Sequence, residues 1–188
     1  MSLWGATDSD ESKPKNLTTA EKKEVFASAK GWVREAGSIL SGNDNTSATP
    51  EVLVALRGLA TKLGVADITS IDFNITAFDK SDGGTLSVTA RFNEAVDVTG
   101  TPQLTVTNDQ RANHTLSYAS GTGTNELIIT LVIGAANAAT SAGDILSIGA
   151  NAMALNSGTV KDAGTTDNAT ITNSASSGTA AGTITVTA

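Results

Sequence analysis

The sequence predicts a mostly β protein: a small N-terminal β-rich docking module with an extended arm, followed by an antiparallel β-sandwich. Three observations lead there. From Ile68 onward Ser, Thr, Gly and Asn dominate, and β-branched residues alternate with polar ones. Turn residues return at short intervals, which divides this region into about seven or eight short strands. The chain has 188 residues, 39% of them hydrophobic and only 4% aromatic, enough to bury one ordinary domain and a small appendage.

The elements follow in order. Residues 1–17 are polar, contain Pro14, and read as an extended arm. Trp4 stands out there, either as an anchor for a partner or as a side chain folded back on its own domain. Residues 18–66 read as the docking module. Thr18-Thr19-Ala20-Glu21 fits a capping box, which favours a helix. Val25, Ala27 and Ala29 alternate with Phe26 and Ser28, which favours a strand, so helix and strand both stay open for residues 19–30. Gly31-Trp32-Val33 reads as strand, and Glu51-Val52-Leu53-Val54-Ala55-Leu56, bounded by Pro50 and Gly58, as its buried partner in a hairpin-like pair. Gly37 and Gly42-Asn43-Asp44-Asn45 form a loop, and residues 59–67 a connector.

Residues 67–188 form the sandwich domain. Ile71, Phe73 and Ile75 alternate first, and Asp79-Lys80-Ser81-Asp82-Gly83-Gly84 turns the chain. Leu86, Val88, Ala90 and Phe92 then alternate and stop near Glu94. Leu104 and Val106 follow Pro102, and Leu116 and Tyr118 precede a Gly121-Thr122-Gly123-Thr124 turn. Leu127, Ile129, Leu131 and Ile133 give the clearest strand. Ile145, Ile148, Met153, Leu155 and Thr159-Val160 come next, then a Gly/Ser/Thr stretch, then Thr183-Ile184-Thr185-Val186. Alternation with period two buries one face and wets the other. The last strand completes a sheet or pairs with a neighbouring subunit.

Composition excludes several classes. With no Cys there is neither a disulfide scaffold nor a Cys-based zinc site. No apolar run approaches the roughly 20 residues of a membrane helix. The opening residues lack the basic and apolar regions of a secretory signal. The net charge is -7. Residues 1–37 balance six basic side chains against six acidic ones, so the excess acid lies beyond them. After Arg111 the only basic side chain is Lys161. A nucleic-acid binder needs a stripe of Lys and Arg along the phosphates, and none is present.

Catalytic constellations are equally absent. Hydrolysis or group transfer needs a nucleophile, a base and an orienting group held together. His114 is the single histidine, and its polar neighbours Asn113 and Thr115 place it at the surface. Asp79 and Asp82 share a turn, but Ala90 stands where an EF-hand requires Glu. Asp162 and Asp167 flank a Gly/Thr loop and read as turn formers. Phe73 and Phe92 fall in phase with the apolar positions, which leaves Tyr118 as the one exposed ring on which a sugar would stack. No catalytic residue, cofactor or metal ligand is expected.

Two resemblances give these patterns a direction. Val88-Thr89-Ala90-Arg91-Phe92-Asn93-Glu94-Ala95-Val96-Asp97-Val98-Thr99-Gly100-Thr101-Pro102-Gln103-Leu104, the turn region Tyr118–Asn125, and Asn151–Ala163 resemble, in order and spacing, the bacterial Ig-like repeat of large surface and adhesion proteins. That resemblance implies an Ig-like sandwich over residues 85–171, and no binding site, because the fold hosts many functions. Ser2-Leu3-Trp4-Gly5, Ser12-Lys13-Pro14-Lys15 and Val25-Phe26-Ala27-Ser28-Ala29-Lys30-Gly31-Trp32-Val33 resemble the opening of virion structural proteins of marine cyanobacterial tailed phages.

Together they imply a non-enzymatic capsid decoration protein, assembled in the host cytoplasm into the virion. Trp4, Lys13, Lys15 and Trp32 would dock on other virion proteins, the major capsid protein first, and the Ig-like domain would face outward. Self-association and weak contact with cell-surface glycans are further expected partners; nucleic acid and membrane are not. The alternative is a receptor- or glycan-binding module on the tail or a fibre. A third reading, a fragment of a bacterial adhesion protein, fits less well with a single, non-repeated Ig-like unit.

Overall fold

One strand organises the molecule. In the computed structural model, which describes residues 17–28, 31–38, 45–55 and 65–188, β-branched and small residues carry the chain through a 16-residue strand, Gly84–Thr99 (β6). Before it come a short helix, Thr19–Lys23 (α1), and the strands Val25–Ser28 (β1), Gly31–Arg34 (β2), Glu51–Ala55 (β3), Ile68–Phe73 (β4) and Phe78–Asp79 (β5). After it come Gln103–Asn108 (β7), His114–Ser120 (β8), Thr124–Ile133 (β9), Ile145–Ala154 (β10), Thr159–Asp162 (β11), the helix Ala175–Ala180 (α2) and Thr183–Thr187 (β12).

Both readings left open for residues 19–30 are realised in succession. The Thr18 hydroxyl accepts from Glu21 N, and the Glu21 carboxylate accepts from Thr18 N at 2.8 Å, a complete capping box. Only five residues continue the helix. Val25 and Ala27 then turn inward from β1. β1, β2 and β3 form a three-stranded antiparallel sheet in that order, so the predicted pair is flanked by a third strand, and β3, expected to be buried, is an edge strand with Val52 exposed. Its small core is Val25, Ala27 and Trp32, with Leu17, Leu53 and Val54 packed against it. The arm through residue 16, residues 42–44 of the loop and residues 59–64 of the connector lie outside the described residues.

The large sheet has the order β11-β6-β9-β8-β7-β10-β12-β5. β6 is long enough to take two partners along one side. β4 pairs with it at Val88–Phe92 and β11 at Val96–Thr99, while β9 occupies the other side. A register shift between Arg91 and Val96 bends the strand there. Phe92, Asn93 and Glu94 are consecutively buried at that bend, so the alternation that stops near Glu94 does not end the strand. A second shift separates Ile148 from Met153 in β10. Asn173 fills it: its side chain accepts from Ala152 N at 2.8 Å and donates to Gly149 O at 2.8 Å.

The sheet is mixed and curled. β5 and β12 pair in parallel, Val186 opposite Phe78, where antiparallel pairing was expected throughout. α2 packs against both β10 and β4, strands well separated in the sheet order, and helps close the curl. Gly178 permits this approach, since a Cβ there would lie 2.2 Å from Ile148 O. The Gly/Ser/Thr stretch before the last strand, where the sequence alone predicts no element, contains this helix; Ser174 caps it by accepting from Ser177 N. Phe78 on β5 and Val160 on β11, at opposite ends of the sheet order, belong to one buried cluster with Leu86, Val88, Leu104, Leu116, Leu127 and Ile129. Each such aliphatic side chain contributes about 1.5–3 kcal/mol on burial. β12 completes the sheet within its own chain, between β10 and β5.

Candidate functional site

The junction between the two sheets gathers several charged side chains that bond across long stretches of sequence. β1 lies against β6, and a chain of polar contacts runs across from one sheet to the other. Lys23 Nζ on α1 is 2.6 Å from Asp72 Oδ1 on β4. Asp72 Oδ2 accepts from Arg91 Nη1 on β6 at 2.9 Å. Arg91 Nε is 2.6 Å from Glu126 Oε1 on β9. The next residue back, Asn125, is buried and donates from Nδ2 to Glu35 Oε1 at 2.7 Å. Glu35 directly follows β2, and its N–H donates to Glu24 O at 2.9 Å. Glu24 in turn accepts from the Ser38 hydroxyl.

Glu35 is the outlying group electrostatically. Burial pushes its carboxyl up from 4.5 to about 7; the facing carboxylate of Glu126 adds to the rise, while the Asn125 bond and the Arg91 charge oppose it. A cleft of about 470 Å³ opens beside it, lined by Phe26, Glu35, Pro50, Thr124, Asn125 and Glu126 among others. A second hollow of about 260 Å³ lies between α1, β4 and α2, and its Lys23 is neutralised by Asp72.

The chain matches no family model, no curated protein and no solved structure.

The sequence-predicted docking residues divide accordingly. Trp4, Lys13 and Lys15 lie outside the described residues. Trp32 is 1% exposed and packs with Val25 and Ala27, so its indole holds the small sheet together from within. Its Nε1 has no hydrogen-bond partner among the described residues.

His114 requires a correction. It is 4% exposed, and burial holds its imidazole below the usual histidine range, against the pull of Asp144. Its Nε2 is 3.5 Å from Asn108 Nδ2, and that same amide donates to Asp144 Oδ2 at 2.9 Å. Asp144 also accepts from Ser141 N at 2.8 Å and faces Arg111 Nε at 3.2 Å. Asn108 Oδ1 accepts from Gln110 N and Arg111 N. This cluster plugs the end of the curled sheet where the β7–β8 turn meets the approach to β10. Local polarity at Asn113 and Thr115 hid it, because the ring is covered from a distance: Asn108 facing it bonds Asp144, 36 residues further along the chain.

Tyr118 is half-buried against the core, and its hydroxyl serves the neighbouring turn. Asp79 accepts from Ser81 N, Ser81 Oγ and Asp82 N, the work of a turn former. Asp162 N donates to Asp167 O at 3.1 Å, which closes that Gly/Thr loop through the backbone. Among the described residues, no three His, Asp or Glu side chains converge as metal ligands would.

Proposed function

We propose that the chain is a non-enzymatic structural protein of a tailed-phage particle of the cyanophage kind. It decorates the capsid, docks through its N-terminal part on the major capsid protein, and displays residues 67–188 outward as an Ig-like sandwich. The observation that carries this reading is the junction. An N-terminal unit with its own small core is fastened to a larger β body by a continuous series of ion pairs and hydrogen bonds. In a displayed protein, load on the outer body passes to the docked part through such a joint.

The build of the outer body agrees with display. Its net negative charge disfavours adhesion to other acidic surfaces. One edge of its sheet order is closed by a strand of only two residues, which offers little template for edge-to-edge aggregation. Many copies on a symmetric shell would let weak outward contacts, glycans included, act together.

Antibody-gold labelling of intact particles, with an antibody raised against residues 67–188, tests the proposal. Gold spread over the head is the expected result. Gold confined to the tail overturns the decoration reading in favour of a receptor- or glycan-binding module on tail or fibre. Particles without gold overturn the virion reading altogether.

A further inference from the structure

We propose that the junction of the two sheets is a proton-operated latch: protonated Glu35 seats the small sheet on β9, and its ionisation beside Glu126 loosens that seat. The inference is independent of any role in a virion and rests on the charge balance of the joint. Among the described residues, two cations, Lys23 from α1 and Arg91 from β6, serve three carboxyl groups: Asp72 from β4, Glu126 from β9, and Glu35 just after β2. Asp72 takes both cations, and Glu126 takes Arg91 at 2.6 Å. Among the described residues, Glu35 faces the neutral amide of Asn125 and the carboxylate of Glu126, with Arg91 acting from beyond Glu126. On its own side, Arg34 turns to Glu21 at 3.5 Å, and the Glu24 carboxylate is held by Ser38. A proton on Glu35 is the simplest way to satisfy the third carboxyl.

The sign follows from linkage. The folded protein holds this proton up to about pH 7, whereas the ordinary glutamate value is 4.5. With the sheets seated, the carboxyl binds more proton than when they part, so seating weakens as pH rises from 4.5 to about 7 and stays weak above it. One linked proton changes an opening equilibrium by at most about tenfold per pH unit within that window. Rise in pH therefore frees the N-terminal unit while the large sheet, whose core lies elsewhere, stays closed.

The full-length chain tests this by two measurements across pH 4.5–8.5: carboxyl-carbon NMR titration of Glu35, and hydrogen exchange corrected for intrinsic rates. The expected result is a midpoint near 7 together with roughly tenfold or greater loss of protection in Val25–Ser28 and Gly31–Arg34. Leu127 and Ile129 in the large sheet should keep theirs. Glu35→Gln is neutral at every pH, and its amide accepts from Asn125 and donates to Glu126, so its small sheet should stay protected throughout. Should that variant fail to fold, Glu126→Gln removes the facing charge and should move both the midpoint and the loss of protection to lower pH together. A Glu35 midpoint in the ordinary carboxylate range overturns the latch. So does a midpoint near 7 with unchanged protection in the small sheet, or a pH step that survives in Glu35→Gln.

Discussion

The Tyr118 hydroxyl accepts a hydrogen bond from the backbone N–H of Thr122 at 2.9 Å. The bond spans the turn between β8 and β9, and the Thr122 hydroxyl continues it by accepting from Val98 N at 2.9 Å. Tyr118 thus fastens a hairpin to β6 while its ring packs on the core. Removing only the hydroxyl, in Tyr118→Phe, should leave the ring in place and one turn N–H without its partner. The expected loss is about 1 kcal/mol of unfolding free energy, read from a denaturant melt with unchanged slope. An unaltered midpoint would show that water replaces the hydroxyl without cost.

Asn156 and Ser157 both have positive φ, 45° and 62°, in the tight turn from β10 to β11, which Gly158 N closes by donating to Leu155 O at 2.7 Å. Two left-handed residues in succession make a type I′ turn, here between strands that pair with different partners. Asn tolerates that region, and Ser does so at a cost of about 1 kcal/mol. Ser157→Gly should therefore raise stability by about 0.5–1 kcal/mol. Gly158→Ala should lower it, because its Cβ would lie 2.4 Å from Thr99 O. Thermal melts of the two variants should move in opposite directions.

His114 supplies a pH dependence of the opposite sign to that of Glu35. Its folded-state value lies below the ordinary 6.5, so between the two the unfolded chain binds the extra proton. The stability it contributes is present above pH 6.5 and is lost as pH falls through the folded value. The ring-proton NMR signal of His114 should titrate below 6.5. In Asn108→Ala, which removes the amide facing both His114 and Asp144, the plug should lose protection from hydrogen exchange. A histidine titrating at 6.5 would mean that the ring is solvated, and one titrating above it that the pull of Asp144 outweighs burial.

The strands were legible where the core was local. Leu104 with Val106, and Leu127 with Ile129, alternate in sequence and are buried in the structure, because strand periodicity and burial coincide on a one-sided sheet. Legibility failed where a distant partner decides the outcome. The alternation through Phe92 stops at Glu94, where a charged residue takes the next in-phase position, yet the strand continues and even the out-of-phase Asn93 is buried against Asp67: its side chain accepts from Asp67 N at 2.7 Å, and its own N–H donates to Asp67 O at 3.0 Å. The sequence Ala175-Ser176-Ser177-Gly178-Thr179-Ala180 has weak helical propensity; packing of Gly178 onto β10 accounts for the helix. In the N-terminal unit, the aromatic Trp32 is conspicuous in sequence but lies in the small core, while Glu35 and Asn125, 90 residues apart in the chain, carry no local signal at all.

Arg91 joins these elements, and its removal separates two effects. Its guanidinium serves Asp72 on β4 and Glu126 on β9 from its place on β6, with all three side chains roughly a quarter exposed. Arg91→Met keeps much of the stem's packing and leaves two carboxylates facing each other's former cation. Partial exposure tempers the cost to about 1–2 kcal/mol, between that of a surface pair and a buried one. Arg91 also holds the Glu35 carboxyl down, so without it the Glu35 midpoint should move above 7. Adding Glu126→Gln to Arg91→Met removes the stranded charge and should recover part of the stability while bringing that midpoint back down. Denaturant melts and carboxyl-carbon titration of the single and double variants measure both effects. A Glu35 midpoint indifferent to Arg91 would place the raised value in burial alone and remove the charge balance on which the joint depends.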